Sequence, residues 1–197
     1  MSPLTEAEQR LLLRLARQAL EATLLTTSSE SPIASLPASI GQPCGAFVTL
    51  RQSGLLRGCV GRVRAFTPLY RTVCDCAVAA ALSDPRFPPV RGSELSSLLL
   101  EISVLSPPTE ARPEDIELGR HGLLISQGAK HGLLLPQVAT EWTWNRERFL
   151  EETCIKAGLG PRAWLEGARL EIFTAQVFGE SEFAERVLVP GQFKQPA

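Results

Sequence analysis

The hydrophobic pattern at the start of the chain predicts one amphipathic helix. Thr5 with Glu8 three residues later forms a capping box, and an apolar face with helical spacing follows it. That face is made by Leu12, Leu15, Ala16, Ala19 and Leu20. Residues 26–43 are mostly Ser, Thr, Pro and small apolar types, so we predict that an exposed connection follows the helix.

Two stretches of the chain have the pattern of β-hairpins. In the first, strands over residues 44–52 and 55–60 flank a tight turn at Ser53-Gly54. In the second, residues 122–127 and 130–135 flank Gly128-Ala129, a pair that suits a type II′ turn. In the second hairpin, the two residue numbers of each directly opposed pair sum to 257. This register places His131 opposite Ser126 and His121 opposite Pro136, about 17 Å apart along the ribbon and on opposite faces.

The rest of the pattern predicts helices and strands without regular alternation. We expect a helix capped at Thr67 and ended by Asp84-Pro85, and a strand over 98–105 with Glu101 on its less apolar face. A helix over 145–157, a helical turn over 161–165 and a strand over 170–177 follow, and residues 179–197 lack clear periodicity. This mixture predicts an α+β fold.

Composition narrows the class of protein. With 197 residues, 44% of them hydrophobic, we expect one domain over 1–197, with a core over about 5–178 and a tail over 179–197. A net charge of -1 gives no chain-wide attraction to nucleic acid or membranes. No apolar run approaches the roughly 20 residues that cross a bilayer, and no secretory signal is present, so we expect a cytoplasmic protein.

The cysteines and loops indicate neither a metal site nor a cofactor. Five cysteines, an odd number without scaffold spacing, are expected to be reduced thiols. Cys74 and Cys76 would diverge by about 200° on a helix, so they would not bind one ion together. Glycine-rich phosphate signatures are absent, and we expect no cofactor and no dedicated metal site.

The best candidate for chemistry is Cys59. It lies between Gly58 and Gly61, whose missing side chains leave room for a ligand or another backbone. It also lies within a stretch, residues 50–74, that has no Asp or Glu. The arginines of this stretch are Arg51, Arg57, Arg62, Arg64 and Arg71. Because cations favour the nucleophilic thiolate, the pattern predicts a reactive or substrate-anchoring cysteine.

Other residues complete this hypothetical site. In a regular strand, Arg57 and Cys59 would lie on one face about 7 Å apart, so the guanidinium would hold an anionic substrate beside the thiol. Arg86 is a second candidate for substrate binding, and Glu101 or His131 for proton transfer. A carboxylate such as Glu101 in an otherwise apolar strand needs a partner or a ligand; burial would raise its pKa, and pairing with Arg57 or Arg86 would lower it. The alternative is that Cys59 is a small buried hydrophobe and that Glu101 belongs to a structural ion pair.

Several ordered blocks resemble the AMME chromosomal region (AMMECR) family, whose bacterial members are named AmmeMemoRadiSam system protein A. The blocks are Leu56-Arg57-Gly58-Cys59-Val60-Gly61, the helix from Pro68 with Asp84-Pro85-Arg86-Phe87, the run from Gly132 to Val138, and Phe149 to Leu159. One departure is Val60, where the family usually has isoleucine. The resemblance implies a mainly antiparallel sheet flanked by helices, with a larger and a smaller subdomain formed by one interleaved chain. It also implies Memo-like and radical S-adenosylmethionine (SAM) partners, but no agreed reaction.

Two hypotheses about function follow from these observations. In the first, Cys59 acts on or holds a small anionic or carbonyl ligand. In the second, the chain is a noncatalytic module that binds a protein partner, or less readily nucleic acid, through an arginine-bearing surface that includes Arg62 and Arg64.

Overall fold

The computed structural model describes residues 3–25 and 36–185. Part of the predicted connection, residues 26–35, and part of the predicted tail, residues 186–197, lie outside the described residues. The helices are α1 (Glu6–Leu24), α2 (Leu69–Leu82), α3 (Pro136–Glu141), α4 (Arg146–Lys156) and α5 (Glu180–Glu185). The strands are β1 (Ala46–Gln52), β2 (Leu55–Arg62), β3 (Leu98–Leu105), β4 (Thr109–Glu110), β5 (Gly122–Gln127), β6 (Lys130–Leu134), β7 (Arg169–Phe173) and β8 (Ala175–Gly179).

The chain forms two compact units. Of the described residues, the smaller unit comprises 104–176, and the larger unit comprises 3–25, 36–103 and 177–185. Each unit contains a four-stranded sheet flanked by helices. The α+β class, with a larger and a smaller unit made by one interleaved chain, is therefore confirmed.

The larger unit has the strand order β2-β1-β3-β8, so β2 is an edge strand. Val48 and Leu50 of β1 are buried, and α2 packs on β1 and β2. Helix α1 begins at the predicted capping box, in which the Thr5 hydroxyl accepts from the Glu8 amide and the Glu8 carboxylate accepts from the Thr5 amide. Three of the residues predicted for the apolar face of α1, Leu12, Ala16 and Leu20, are fully buried.

The first hairpin contains a β-bulge that its sequence does not predict. Ser53 and Gly54 both have positive φ, 51° and 81°, which fits a two-residue turn with the twist of its strands. Leu50 pairs with Gly58 but Arg51 pairs with Leu56, so Arg57 is an extra residue without a direct partner on β1. The assumption of a regular strand from Leu55 onward is therefore wrong.

The smaller unit has the strand order β4-β7-β5-β6. Gly128 has φ of 61°, as a type II′ turn requires, and Ser126 lies opposite His131 as predicted. Its core contains Phe149 and Cys154 of α4, which pack against the sheet. Helix α4 is capped by the Asn145 side chain and is followed by Gly158 at φ 71°, as expected for a left-handed C-terminal cap.

Several predicted boundaries differ from the structure. The single strand expected over 170–177 is two strands, β7 and β8, which belong to different sheets. The N-cap of α2 is Pro68 rather than Thr67, because the Thr67 hydroxyl contacts the Thr72 hydroxyl instead of a backbone amide. The short elements β4, α3 and α5 were not predicted, since each is too short to show a period.

Within the described ranges, no helix has both the length and the apolar character that crossing a bilayer requires.

Candidate functional site

Cys59 lies on the edge strand β2, directly opposite Thr49 of β1. The Thr49 hydroxyl donates a hydrogen bond to the Cys59 sulfur at 3.4 Å. Thr49 is 8% exposed, whereas Cys59 is half-buried. The thiol is thus held by a neighbouring hydroxyl on a surface that solvent reaches.

The Asp84-Pro85-Arg86 turn that follows α2 clamps the outer backbone edge of Cys59. The Cys59 amide donates to Asp84 Oδ2 at 2.8 Å, and its carbonyl accepts from Arg86 Nη2 at 3.2 Å. Edge strands expose such groups, so the two side chains occupy the place that a further strand would take. The peptide that carries the thiol is fixed on both sides, by β1 and by this clamp.

Asp84 and Arg86 also bind each other. Arg86 donates from Nε to Asp84 Oδ1 at 2.9 Å and from Nη2 to Oδ2 at 2.7 Å. Hydrogen bonds from Arg86, with that from the Cys59 amide, hold the pKa of Asp84 well below its usual range although the carboxyl is buried. Hydrogen bonding to Asp84 in turn raises the pKa of Arg86, and the Cys59 side chain adds to this increase. The guanidinium therefore lies beside the thiol as well as beside the carboxylate.

Arg57 is engaged by protein groups at all three guanidinium nitrogens. Nε and Nη2 donate to the two oxygens of Glu94 at 2.9 and 3.2 Å, and Nη1 donates to the Pro88 carbonyl at 2.9 Å. The hydrogen bonds from Arg57 lower the pKa of Glu94. The Arg57 side chain is only 13% exposed. In this arrangement Arg57 fastens the segment around residues 88–94 to β2.

The two glycines beside Cys59 serve close packing. A Cβ atom on Gly58 would lie 2.1 Å from the Ala80 carbonyl oxygen of α2, and one on Gly61 would lie 2.2 Å from the Phe47 ring. Protein atoms thus fill the space that the sequence left open for a ligand.

Glu101 pairs with Arg51 rather than with Arg57 or Arg86. Arg51 Nε lies 3.9 Å from Glu101 Oε2, and both side chains are partly exposed. Because Thr49 and Arg51 are two residues apart on β1, they lie on one face of the sheet together with Cys59 and Glu101. Neither Arg57 nor Arg86 is the partner of Glu101, and Glu101 lies on the same face of the sheet as the thiol.

The predicted histidines belong to the smaller unit. His131 lies on β6 and is exposed. His121 precedes β5, and its Nδ1 accepts from the Glu117 amide at 3.1 Å. The register that separates the two histidines is confirmed by the Ser126–His131 pair, and a role for His131 in proton transfer stays a prediction.

The other cysteines are in different surroundings from Cys59. Burial raises the pKa of both Cys74 and Cys76 to about 11, and it also raises the pKa of Cys154. The Cys76 sulfur faces the Ala46 carbonyl, whereas Cys74 lines a groove of about 570 Å³ between α1 and α2, as helical divergence predicts. Cys59 is not among the residues that line this groove. Among the residues described, no three His, Cys, Asp or Glu side chains are grouped so that they could hold a metal ion.

A family model described as AMMECR1 matches residues 13–178. The chain belongs to the AMMECR1 family. The match contains all of the residues described around Cys59, so this site lies within the family domain.

Archaeal AMMECR1 relatives are similar over nearly the whole chain. A protein of Methanosarcina acetivorans is 43% identical over 188 residues, which cover 91% of this chain and 94% of the relative. A protein of Pyrococcus furiosus is 44% identical over 181 residues, covering 86% of each. The crystal structure of a Pyrococcus horikoshii protein, described as uncharacterised, has a TM-score of 0.84 and 40% identity, and covers 90% of this chain and 93% of its own. None of these three names states an activity.

Sequence reasoning missed three residues of the site: Thr49, Asp84 and Glu94. A two-residue turn at Ser53-Gly54 makes Thr49 face Gly58, and only the bulge at Arg57 moves Cys59 opposite Thr49. The sequence predicts Asp84 as a helix stop, and a carboxylate beside Pro85-Arg86 at the end of an apolar helix is a signal that could also have indicated its ion pair. No local signal marks Glu94 as the partner of Arg57.

Proposed function

We propose that this AMMECR1-family protein binds a small carbonyl compound at Cys59, whose thiolate attacks or holds it. The observation that carries the proposal is the setting of the thiol: Thr49 donates to the sulfur and Arg86 lies beside it. Both groups stabilise negative charge on sulfur, and the thiolate is the nucleophilic form of cysteine.

The class of ligand follows from the hydrogen-bond donors near Cys59 that are not used by other protein groups. Arg51, Arg57 and Arg86 each face a carboxylate, so the site has little excess positive charge. Nη1 of Arg86 has no hydrogen-bond partner among the described residues, and the side chain is 55% exposed. A carbonyl oxygen needs one such donor. This favours a carbonyl group over a strongly anionic one, and it assigns ligand binding to Arg86 and positioning to Arg57.

Proton transfer in this proposal falls to Glu101, on the same sheet face as Cys59. When the thiolate adds to a carbonyl carbon, the sulfur–carbon bond forms and the carbonyl electron pair moves to oxygen, which then takes a proton. The Glu101 carboxylate, held in place by Arg51, takes the proton of the Cys59 thiol directly or through water and then passes that proton to the oxygen.

Alkylation of the native chain tests the proposal. Iodoacetamide forms a sulfur–carbon bond with release of iodide, and peptide mass spectrometry locates the label. We expect Cys59 to react fastest of the five cysteines at pH 7–8. Cys74 is the internal control, because it is also half-buried while its pKa of about 11 keeps it protonated at that pH.

Two variants make the alkylation test specific. Cys59→Ser should remove the fast label, and Arg86→Gln should slow labelling of Cys59 several-fold without speeding that of Cys74. Equal, slow labelling of Cys59 and Cys74 from pH 6 to 9 would exclude a reactive thiol and favour a packing role.

Partners are a separate part of the proposal. We propose that Memo-like and radical SAM proteins act with this chain, which rests on the names borne by bacterial relatives of the family. Co-purification of each partner with the full chain and with Cys59→Ser separates a partner that needs the thiol from one that docks elsewhere. Failure of both candidates to co-purify with the full chain would count against this part alone.

A further inference from the structure

The bulge in β2 places Leu56 on the same face of the sheet as the Cys59 thiol. In a regular strand, residues three apart point to opposite faces, so the sheet would separate these two side chains. With Arg57 as the extra residue, Leu56 lies directly opposite Arg51. Cys59 lies directly opposite Thr49, which is two residues from Arg51 on β1. Leu56 and the thiol therefore lie on one face, about 7 Å apart along the strands.

A second apolar side chain, Leu99 of β3, points to the same face. Glu101 lies on this face, where its carboxylate contacts Arg51, and Leu99 precedes it by two residues on β3. The residues on either side of Leu99 point to the other face and are buried. Because the strand order is β2-β1-β3, Leu56 and Leu99 lie on either side of β1.

Both leucines are partly open to solvent, Leu56 at 38% and Leu99 at 46%. On β1, between the strands that carry them, the partly exposed Arg51 side chain adds the apolar methylene groups of its stem. Single exposed leucines are common, but several apolar groups on one face beside a nucleophile offer a surface for an apolar part of a ligand. Removing such surface from water favours binding.

The other side of the thiol is filled by an aromatic ring. Phe47 is two residues from Thr49 on β1 and lies directly opposite Gly61. Its ring occupies the place of a side chain at Gly61, since a Cβ atom there would lie 2.2 Å from the ring. A ligand that extends along β2 from Cys59 therefore has room toward Leu56, on the side of the hairpin turn.

We infer, on the basis of the proposed function, that the carbonyl compound bound at Cys59 carries an uncharged apolar substituent that packs on Leu56 and Leu99. Arg51 and Glu101 face each other at this place, so a substituent needs no charge of its own to fit. A phenyl ring or a chain of about five carbons reaches from the carbonyl carbon across the roughly 7 Å to Leu56. The two leucines thus determine which carbonyl compounds are preferred.

Two alkylating reagents that differ in a phenyl ring test the preference. Iodoacetamide and iodoacetanilide both form a sulfur–carbon bond with release of iodide, and iodoacetanilide carries a phenyl ring on its amide nitrogen. Their rates of reaction with Cys59 of the full chain are measured at pH 7–8 by peptide mass spectrometry, with glutathione in the same solution as the reference thiol. We expect the anilide-to-amide rate ratio of Cys59 to exceed that of glutathione about threefold or more.

Variants of the two leucines locate the preference. Leu56→Ala and Leu99→Ala should each bring the rate ratio of Cys59 closer to that of glutathione, while the rate with iodoacetamide alone stays within about twofold. Leu56→Gln keeps the length of the side chain but not its apolar character, and it should lower the ratio as well. Because both leucines are partly exposed, we expect unfolding midpoints in urea close to that of the parent chain.

The matched control is Leu55→Ala. Leu55 is the neighbour of Leu56 and is 74% exposed, but it lies directly opposite Gln52 and so points to the other face. Its truncation tests whether any apolar side chain near the hairpin turn is enough for the preference. We expect the rate ratio of Cys59 in this variant to equal that of the parent chain.

Competition by aldehydes extends the test to carbonyl compounds. Acetaldehyde and phenylacetaldehyde also differ in a phenyl ring, and the thiol adds to either carbonyl carbon while its proton passes to the oxygen. Relative to glutathione, phenylacetaldehyde should halve the labelling of Cys59 by iodoacetamide at a several-fold lower concentration than acetaldehyde does. This difference should shrink in Leu56→Ala and in Leu99→Ala.

The outcomes separate this inference from the proposed function. Fast labelling of Cys59 with a rate ratio equal to that of glutathione would overturn the inference and leave the proposed function standing. So would a ratio that neither leucine variant changes, or one that Leu55→Ala lowers as much. Labelling of Cys59 as slow as that of Cys74 with both reagents would overturn the proposed function and the inference together.

Discussion

At the scale of single residues, the glycine before Cys59 is a packing element of the site. Helix α2 approaches β2 so closely at Gly58 that no side chain fits between them. The resemblance motif around Cys59 thus combines the thiol proposed to be reactive with a residue for helix–strand contact. The backbone next to the thiol is therefore packed directly on α2.

Gly58→Ala should destabilise the chain. The added Cβ would lie 2.1 Å from a backbone oxygen of α2, which cannot turn away as a flexible side chain does. We expect the free energy of unfolding in urea to fall by about 1–3 kcal/mol. The control is Gly160→Ala, where no atom lies within 4 Å of the new Cβ and stability should stay the same or rise slightly. Equal effects of the two substitutions would contradict close packing at Gly58.

Residue chemistry near Cys59 could be predicted only in part. The thiol, the arginines and the absence of nearby acids are visible in a window of sequence. The carboxylates that neutralise Arg51, Arg57 and Arg86 are not visible there, because Asp84 and Glu94 lie in the connection between α2 and β3 and Glu101 lies in β3. Charge asymmetry along a sequence is therefore a poor guide to charge in space when the segment is a strand at the edge of a sheet.

At the scale of elements, the connection after α2 binds the edge of β2 where a further strand would pair. It covers the outer edge of β2 at Cys59, through the Asp84–Arg86 pair. Loss of the Asp84 charge should loosen the edge of the sheet and the thiol together.

Asp84→Asn should lower stability in a pH-dependent way. The pKa of Asp84 is lower in the folded chain than its unfolded value near 3.9. Its contribution is thus fully present above about pH 4 and is lost as the pH falls toward the folded pKa. We expect Asp84→Asn to cost roughly 1–3 kcal/mol at pH 7 in urea unfolding, and the gap to narrow below about pH 4.

The control for this experiment is Asp75→Asn, which removes an exposed carboxylate from α2. Its effect at pH 7 should be within about 0.5 kcal/mol. A gap between the parent chain and Asp84→Asn that widened as the pH fell below 4 would contradict the lowered pKa.

Elements with strong local signals were predicted well. Both hairpin turns, the capping box of α1, the end of α2 before Asp84-Pro85, and α4 with its Gly158 cap all match the structure. The division between β7 and β8 was missed because residues 170–177 hold no glycine or proline. The chain changes sheets at Thr174, whose backbone pairs with Ser106. The change of sheet is determined by tertiary pairing, so the pattern of hydrophobic residues along the chain does not show it.

At the scale of the whole molecule, the charge balance argues against general binding to nucleic acid. The chain has 20 Lys and Arg against 21 Asp and Glu. In fluorescence titrations with a 20-base-pair duplex at 150 mM salt, we expect a Kd weaker than about 10⁻⁴ M. Arg62→Gln/Arg64→Gln should change this little. Micromolar binding with a steep salt dependence would show that local arginines outweigh the overall charge.

The interleaving of the two units also has a consequence for synthesis. Strand β3 is flanked in its sheet by β1 and β8, and α5 is tied back to α1 by the pair of Arg17 and Glu180, which are 163 residues apart. On the ribosome β1 and β2 emerge early, but β8 emerges only after residues 106–174 have been made. One edge of β3 is therefore without its partner for most of translation, and open strand edges are where nascent chains aggregate. The smaller unit, continuous in sequence, has no such delay, so chaperone dependence should fall on the larger unit.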